Sequence, residues 1–146
     1  MPARPRVVAP QLLSHAEVRT LIESAAQRHK LPAAFVKSIV AAESAFRSDA
    51  VSPKGALGLM QVMPDTALEM GLDANIPEQN VEAGTKYLAW LLQRYRKTRG
   101  SLPRAIAAYN AGPGNVDKYR GVPPFRETRA YVARVLTYFK QYKRVG

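Results

Sequence analysis

The chain of 146 residues suits one domain with a real core, and its 47% hydrophobic and 23% charged residues are typical of globular proteins. It has no cysteine and two histidines, which excludes a disulfide framework and a cysteine-based metal site. The carboxylates show no metal-ligand spacing, and no apolar stretch approaches the ~18 residues that span a bilayer. The net charge of +11 favours a polyanionic partner: nucleic acid, anionic lipid or acidic cell-wall polymer.

The first residues, MPARPRVVAP, contain arginine and proline but lack the apolar core of a signal peptide. We expect residues 1–11 to form a flexible arm and residues 12–146 to form the folded domain. A chain without a leader is compatible with an intracellular protein, with export by another route, or with a leader that has been removed.

Helical signals begin directly after this arm. The sequence SHAE (Ser14–Glu17) has the form of a capping box and predicts a first helix that runs to about His29. Pro32 suits the first turn of a second helix, which contains VKSIVAAESAF and runs to about Phe46.

The middle of the chain contains a predicted loop and two further helices. Residues 47–63 are rich in glycine, serine and proline and are expected to form a loop. A short helix should run from about Pro64 to Gly71. Asn80 is expected to cap a long amphipathic helix that ends at Gly100.

The C-terminal part is predicted to be helical as well. Ser101 should cap a helix through LPRAIAAYN, and the glycines of Gly112–Gly114 should break the chain. A last helix is expected from about Glu127 to Lys143. Because no segment shows strand-like alternation, the sequence predicts a mostly α fold with functional groups on its loops.

Glu43 is the candidate catalytic residue. It follows Val36, Ile39 and Val40 at the spacing that places side chains on one helical face. Partial burial on that face would raise the pKa of the carboxyl towards roughly 6, which suits a general acid near neutral pH. An ion pair with an arginine from another helix is the alternative, and this helix alone does not decide between the two.

Two further segments contain side chains that suit a sugar ligand. In GALGLMQVMP, the glycines allow close approach of a ligand, and Met60 and Gln61 suit a polar ring. In AYNAGPG, Tyr109 and Asn110 could stack on and hydrogen-bond a sugar. Packing of the methionine and the tyrosine into the core is the alternative for each segment. Tyr131 lies on the buried side of the last helix, where a buried carboxyl would satisfy its hydroxyl.

Together these segments resemble the soluble lytic transglycosylase family, whose catalytic domain has a goose-type-lysozyme-like fold. The resemblance extends from roughly Leu13 to Tyr142. It rests on five motifs in the family's order: Glu43-Ser44, AVSPKGALGLMQVMP, NVEAGTKYL, AYNAGPGNV and PPFRETRAYV. The resemblance implies a mostly α, lysozyme-like domain with a substrate cleft lined by loops.

The resemblance also implies the reaction. The family cleaves the β-1,4 bond between N-acetylmuramic acid and N-acetylglucosamine in peptidoglycan, without water, and leaves a 1,6-anhydromuramic acid end. Glu43 would protonate the leaving oxygen and then accept the proton of the attacking C6 hydroxyl. The absence of an obvious second carboxylate partner agrees with this, because hydrolytic glycosidases usually need two.

The remaining matched positions imply a substrate site without a metal or cofactor. Ser44 is interpreted as structural support for the helix. Tyr131 would orient Glu43, and the implied substrate-binding residues are Ser52, Met60, Gln61, Tyr109, Asn110 and Tyr131. The implied partner is the peptidoglycan glycan strand, the protein is expected to be a monomer, and nucleic acid is not an expected partner.

Other classes and settings remain open from the sequence. A non-catalytic wall-binding module and a small helical nucleic-acid binder are the alternatives, although the basic residues are dispersed rather than gathered on a recognition helix. The resemblance implies a place in the periplasm or cell envelope. Because the chain has no recognisable leader, a trimmed protein, a phage particle component and a secretion-machine accessory are equally compatible.

Overall fold

The computed structural model describes residues 12–145, so the predicted flexible arm at residues 1–11 lies outside the described residues. Within this range the chain is mostly α-helical, as the sequence predicts. The helices are α1 (His15–Arg28), α2 (Ala33–Ser44), α3 (Pro64–Glu69), α4 (Pro77–Tyr95), α5 (Ser101–Ala111), α6 (Pro113–Tyr119) and α7 (Arg126–Val145).

The predicted boundaries of the first two helices are close to those observed. The Ser14 hydroxyl accepts a hydrogen bond from the Glu17 amide, and the Glu17 side chain reaches back to the Ser14 backbone, which confirms the capping box. Pro32 lies at the N-cap of α2, one residue before the predicted position. The helix ends at Ser44 and is followed by Ala45 and Phe46, two consecutive non-glycine residues with left-handed backbone at φ 51° and 64°.

Helix α2 is the centre of the core. Val36, Ile39 and Val40 are fully buried, as the predicted stripe requires. Helix α7 packs against α2, where the rings of Phe35 and Phe139 lie 5.1 Å apart. Helix α1 packs on α2 and α4, and α5 packs on α4 and α7. Helix α2, which bears Glu43, is therefore packed against both α7 and α1.

The predicted role of Asn80 as a helix cap is wrong. Helix α4 begins earlier, with Pro77 in its first turn, and Asn80 is buried one turn inside it. Its side chain accepts a hydrogen bond from the Met60 amide at 3.0 Å and donates to the carbonyls of Leu57 and Ala74 at 2.7 and 2.9 Å. Asn80 therefore fastens the loop before α3 to the long helix, a role that a cap-like pattern does not reveal.

Two other boundaries differ from the sequence-based prediction. Ser101 is the first helical residue of α5, and Gly100, with φ 66°, occupies the N-cap instead. The glycine-rich turn after α5 does not end the helical structure. Gly112 turns the chain with φ 86°, and Pro113 then starts the short helix α6, because proline is pre-organised for a first helical turn.

The loop between α2 and α3 contains isolated antiparallel bridges rather than a sheet. Leu57 pairs with both Val51 and Val62. No helix among residues 12–145 combines the length and apolarity needed to cross a bilayer. The same residues contain no cluster of three or more metal-binding side chains.

The Asn80 contacts lead to a stability prediction. Asn80→Ala leaves a buried amide and two carbonyls without partners, so the free energy of unfolding should fall by about 3 kcal/mol. Urea denaturation measures the change. Asn75→Ala is the matched control, because the Asn75 amide makes an exposed bond to Asp73 and its loss should cost less than about 1 kcal/mol. Equal losses for both variants would contradict the anchoring role.

Candidate active site

Glu43 lies in the last turn of α2 and is partly buried. Burial raises the pKa of its carboxyl from the usual 4.5 to about 7, because the charged form loses hydration. The Tyr131 hydrogen bond and the charge of Arg134 oppose this increase, and the charge of Glu127 adds slightly to it. At neutral pH the carboxyl is therefore divided between a proton-donating and a proton-accepting form.

The direct partner of Glu43 is a tyrosine. The Tyr131 hydroxyl, on α7, donates a hydrogen bond to Glu43 Oε2 at 3.1 Å, and the ring is 1% exposed. Burial also raises the pKa of Tyr131 well above its usual value, so its hydroxyl stays protonated and remains a donor. No ion pair among residues 12–145 includes Glu43. The structure thus favours the tyrosine partner over the arginine pair that the helix pattern left open.

Arg134 contributes charge without direct contact. It is one turn beyond Tyr131 on α7, and its guanidinium carbon lies 5.9 Å from the centre of the Tyr131 ring. Its positive charge lowers the pKa of Glu43, which stabilises the carboxylate once the proton has left.

Ser44 ties the neighbouring loop to α2. It is buried, and its hydroxyl donates to the carbonyl of Leu59 at 2.8 Å, with the Val40 carbonyl at 3.1 Å. Leu59 belongs to the GALGLMQVMP segment, so this bond fixes that segment beside Glu43. The contact agrees with a structural role for Ser44.

The side chain of Met60 lies in the core rather than on the surface of the loop. Its side chain is fully buried and packs so closely on Gly84 of α4 that a β-carbon at position 84 would lie 2.6 Å from it. Because the core encloses this side chain, any contact of Met60 with the glycan would come from its backbone, and the predicted substrate role of Met60 stays a prediction. Its backbone is held at both ends, since its amide donates to Asn80 and its carbonyl accepts from the Tyr109 hydroxyl at 2.8 Å.

Gln61 and Ser52 make hydrogen bonds to other residues of the same loop. Gln61 has left-handed backbone at φ 50°, and its side-chain amide donates to the carbonyls of Ala50 and Gly58 at 3.2 and 2.9 Å. The Ser52 hydroxyl accepts the Ala56 amide at 2.9 Å. These contacts hold a strained loop in one shape, which is typical of functional sites. The substrate contacts predicted for Ser52 and Gln61 stay predictions.

Tyr109 and Asn110 lie at the end of α5. Burial, and to a smaller extent the negative charge of Glu43, raise the pKa of Tyr109 well above its usual value. The side-chain oxygen of Asn110 accepts a hydrogen bond from the Thr128 hydroxyl of α7 at 2.9 Å. The two residues thus connect α5 with the Met60 loop on one side and with α7 on the other.

Four residues contribute to the site in roles that the sequence analysis did not assign to them. Asn80 and Gly84 position the loop, Thr128 holds Asn110, and Arg134 acts on Glu43. The small residue at position 84, inside a long helix, is the one signal that a close approach was needed. A cavity of about 520 Å³ lies between α1 and the start of α4, but none of the predicted site residues lines it. The size of this cavity therefore does not identify the site.

Comparison with known proteins relates this chain to lytic transglycosylases. A sequence model of the family described as "Transglycosylase SLT domain" matches residues 20–132. The chain is 35% identical over 138 residues to a soluble lytic murein transglycosylase of Escherichia coli K12, covering 78% of this chain and 21% of that protein. It is 34% identical over 159 residues to a membrane-bound lytic murein transglycosylase C of Actinobacillus pleuropneumoniae, covering 90% of this chain and 44% of that protein.

A solved structure shares the fold. The lytic transglycosylase Slt of Pseudomonas aeruginosa, in an inactive glutamate-to-glutamine mutant, superposes with a TM-score of 0.75 at 34% identity, covering 86% of this chain and 24% of that one. The chain therefore spans less than half the length of these relatives. The family match covers most of the described helices, from α1 to α7, and includes both Glu43 and Tyr131. This chain belongs to the transglycosylase SLT domain family, and its helical fold is of the lysozyme-like type found in these enzymes.

Proposed function

We propose that this chain is a peptidoglycan lytic transglycosylase and that residues 12–146 form its catalytic domain. It cleaves the β-1,4 bond between N-acetylmuramic acid and N-acetylglucosamine and forms 1,6-anhydromuramic acid ends. The observation that carries the proposal is Glu43: a partly buried carboxyl with a pKa of about 7 that accepts a hydrogen bond from a buried tyrosine. The names of the relatives support the same activity.

The mechanism uses one carboxyl twice. Glu43, protonated, donates its proton to the glycosidic oxygen as the bond from that oxygen to C1 of muramic acid breaks. The carboxylate that remains accepts the proton of the C6 hydroxyl as its oxygen bonds to C1. The tethered nucleophile makes water unnecessary and gives the ring closure the advantage of proximity. The substrate's N-acetyl group stabilises the positive charge at C1.

A pKa near 7 suits both steps. A lower pKa would leave little acid at neutral pH, and a higher one would make the proton hard to release. Tyr131 and Arg134 stabilise the carboxylate formed after the first step, while burial stabilises the acid before it. Glu127, exposed in the first turn of α7, is the other carboxylate that acts on Glu43, and its effect is the smallest of the four.

We further propose that the substrate is held by Ser52, Gln61, Tyr109, Asn110 and the backbone around Met60. The partner is the glycan strand of the cell wall, and the setting is the periplasm or cell envelope. The excess positive charge supports attachment to the anionic wall. We also propose that the protein acts as a monomer.

Product analysis tests the reaction type. Digestion of purified sacculi should yield muropeptides with 1,6-anhydromuramic acid ends, identified by mass spectrometry from the water they lack. Glu127→Gln should give the same products at a similar rate. Suppose instead that the wild type formed muramic acid with free reducing ends and that Glu127→Gln did not. This result would show a two-carboxylate hydrolase in which Glu127 supplies the second acid.

Replacement of the catalytic acid separates chemistry from folding. Glu43→Gln keeps the shape but removes the proton, so turnover should fall at least about 100- to 10,000-fold while binding to sacculi persists. Because the folded protein holds the Glu43 proton more tightly than the unfolded chain, this carboxyl favours folding below about pH 4.5 and loses that contribution as pH rises through about 7. Thermal unfolding should therefore show that the variant gains stability relative to the wild type from pH 5 to pH 8. Full activity in Glu43→Gln would refute the assignment.

The pH dependence tests the tyrosine. Activity should fall about tenfold per unit above pH 7, as Glu43 loses its proton. In Tyr131→Phe the missing hydrogen bond should raise the pKa of Glu43, which moves this alkaline limb to higher pH. The maximal rate should fall roughly 10- to 100-fold because the carboxyl is no longer held. Tyr138→Phe, on the same helix, is the control and should change neither the position of the alkaline limb nor the maximal rate. If the alkaline limb of Tyr131→Phe stayed at the wild-type pH, the result would argue against the contact between Tyr131 and Glu43.

A further inference from the structure

One exposed aromatic side chain has no role in the site described so far. Trp90, the single tryptophan of the chain, is 50% exposed in the C-terminal half of α4. Its neighbours Leu88 and Leu91 are fully buried, so the helix places its apolar stripe in the core and still leaves the largest side chain outside. An aromatic group of this size in contact with water is typical of a binding surface.

Trp90 is the outer member of a row of aromatic rings. The Trp90 and Tyr87 rings are nearly parallel, with an interplanar angle of 14° and centres 6.0 Å apart. The Tyr87 ring in turn lies 5.6 Å from the ring of Tyr109, tilted by 48°. The row therefore starts at Tyr109, whose hydroxyl binds the Met60 loop that Ser44 holds beside Glu43, and runs outward along α4.

The outer end of this row is held in place. The Arg94 guanidinium lies 5.6 Å from the centre of the Trp90 ring and pairs with Asp117 of α6. The indole thus has a neighbour along the helix on each side, Tyr87 one turn before and Arg94 one turn after, and is still half exposed. A rigid aromatic surface loses little conformational entropy on binding, which makes it an efficient contact for a ligand.

We infer that Tyr87 and Trp90 form a sugar-binding platform that extends the catalytic cleft beyond Tyr109 and holds a distal part of the glycan strand. This inference rests on the proposed function, because the occupant is the strand that Glu43 cleaves. Pyranose rings carry faces of C–H groups that stack on aromatic rings. Continuity through the ring contact of Tyr87 with Tyr109 favours the glycan over an unrelated ligand.

Trp90 provides its own spectroscopic probe, because the chain contains no other tryptophan. In the Glu43→Gln protein, titration with soluble uncrosslinked glycan strands should change the intensity and wavelength of tryptophan emission, with a saturable dependence on strand concentration. Binding measured by calorimetry without any change in emission would overturn the platform and leave the proposed cleft untouched.

Kinetics with the otherwise wild-type enzyme give the second measurement. Trp90→Ala should raise KM for long glycan strands by about three- to tenfold with little change in kcat, the size expected for one lost aromatic contact. Trp90→Phe should recover most of the loss, and Leu68→Ala, which removes an exposed apolar side chain from α3, should have no effect. Anhydromuramic acid products from all these variants would show that the proposed reaction stands. An unchanged KM in Trp90→Ala would then refute the platform alone, whereas absence of such products from the wild type would refute the proposed function.

Discussion

The contact between Tyr131 and Glu43 is the interaction on which the site depends. It joins two residues 88 positions apart and exists only because α7 packs across α2. Burial in this packing makes the carboxyl hold its proton, and the tyrosine hydroxyl keeps the pKa from rising further. The same helix contact therefore supplies core stability, orientation of the acid and its proton affinity.

The second constraint is the attachment of the loop between α2 and α3. The Ser44 hydroxyl of α2 donates a hydrogen bond to the Leu59 carbonyl of this loop. On α4, Asn80 accepts the Met60 amide and Gly84 leaves space for the Met60 side chain. The Tyr109 hydroxyl donates a hydrogen bond to the Met60 carbonyl. A loop with left-handed backbone at a non-glycine residue needs such anchors, because its conformation is unfavourable by itself. Many of the polar side chains in the five motifs therefore make structural hydrogen bonds that hold the backbone around Glu43.

The sequence-based predictions were most accurate where local physics decides the outcome. The capping box of α1, the buried stripe of α2 and the extent of α7 follow from short-range patterns. They were less accurate where distant segments meet. Asn80 carries a cap-like signal, yet the Met60 loop makes it a buried anchor. Met60 suits a ligand surface by composition, yet Gly84 opens a space in the core that receives its side chain.

By itself, the sequence determined a mostly helical domain, the candidate acid and membership of a recognisable family, because periodicity and motif order are properties of the chain alone. Only the tertiary structure decided the partner of Glu43, the pKa of about 7 and the enclosure of Met60. It also placed Tyr87 and Trp90 in line with Tyr109. Burial and electrostatic coupling depend on what surrounds a side chain, and the surroundings here come from helices far apart in the chain.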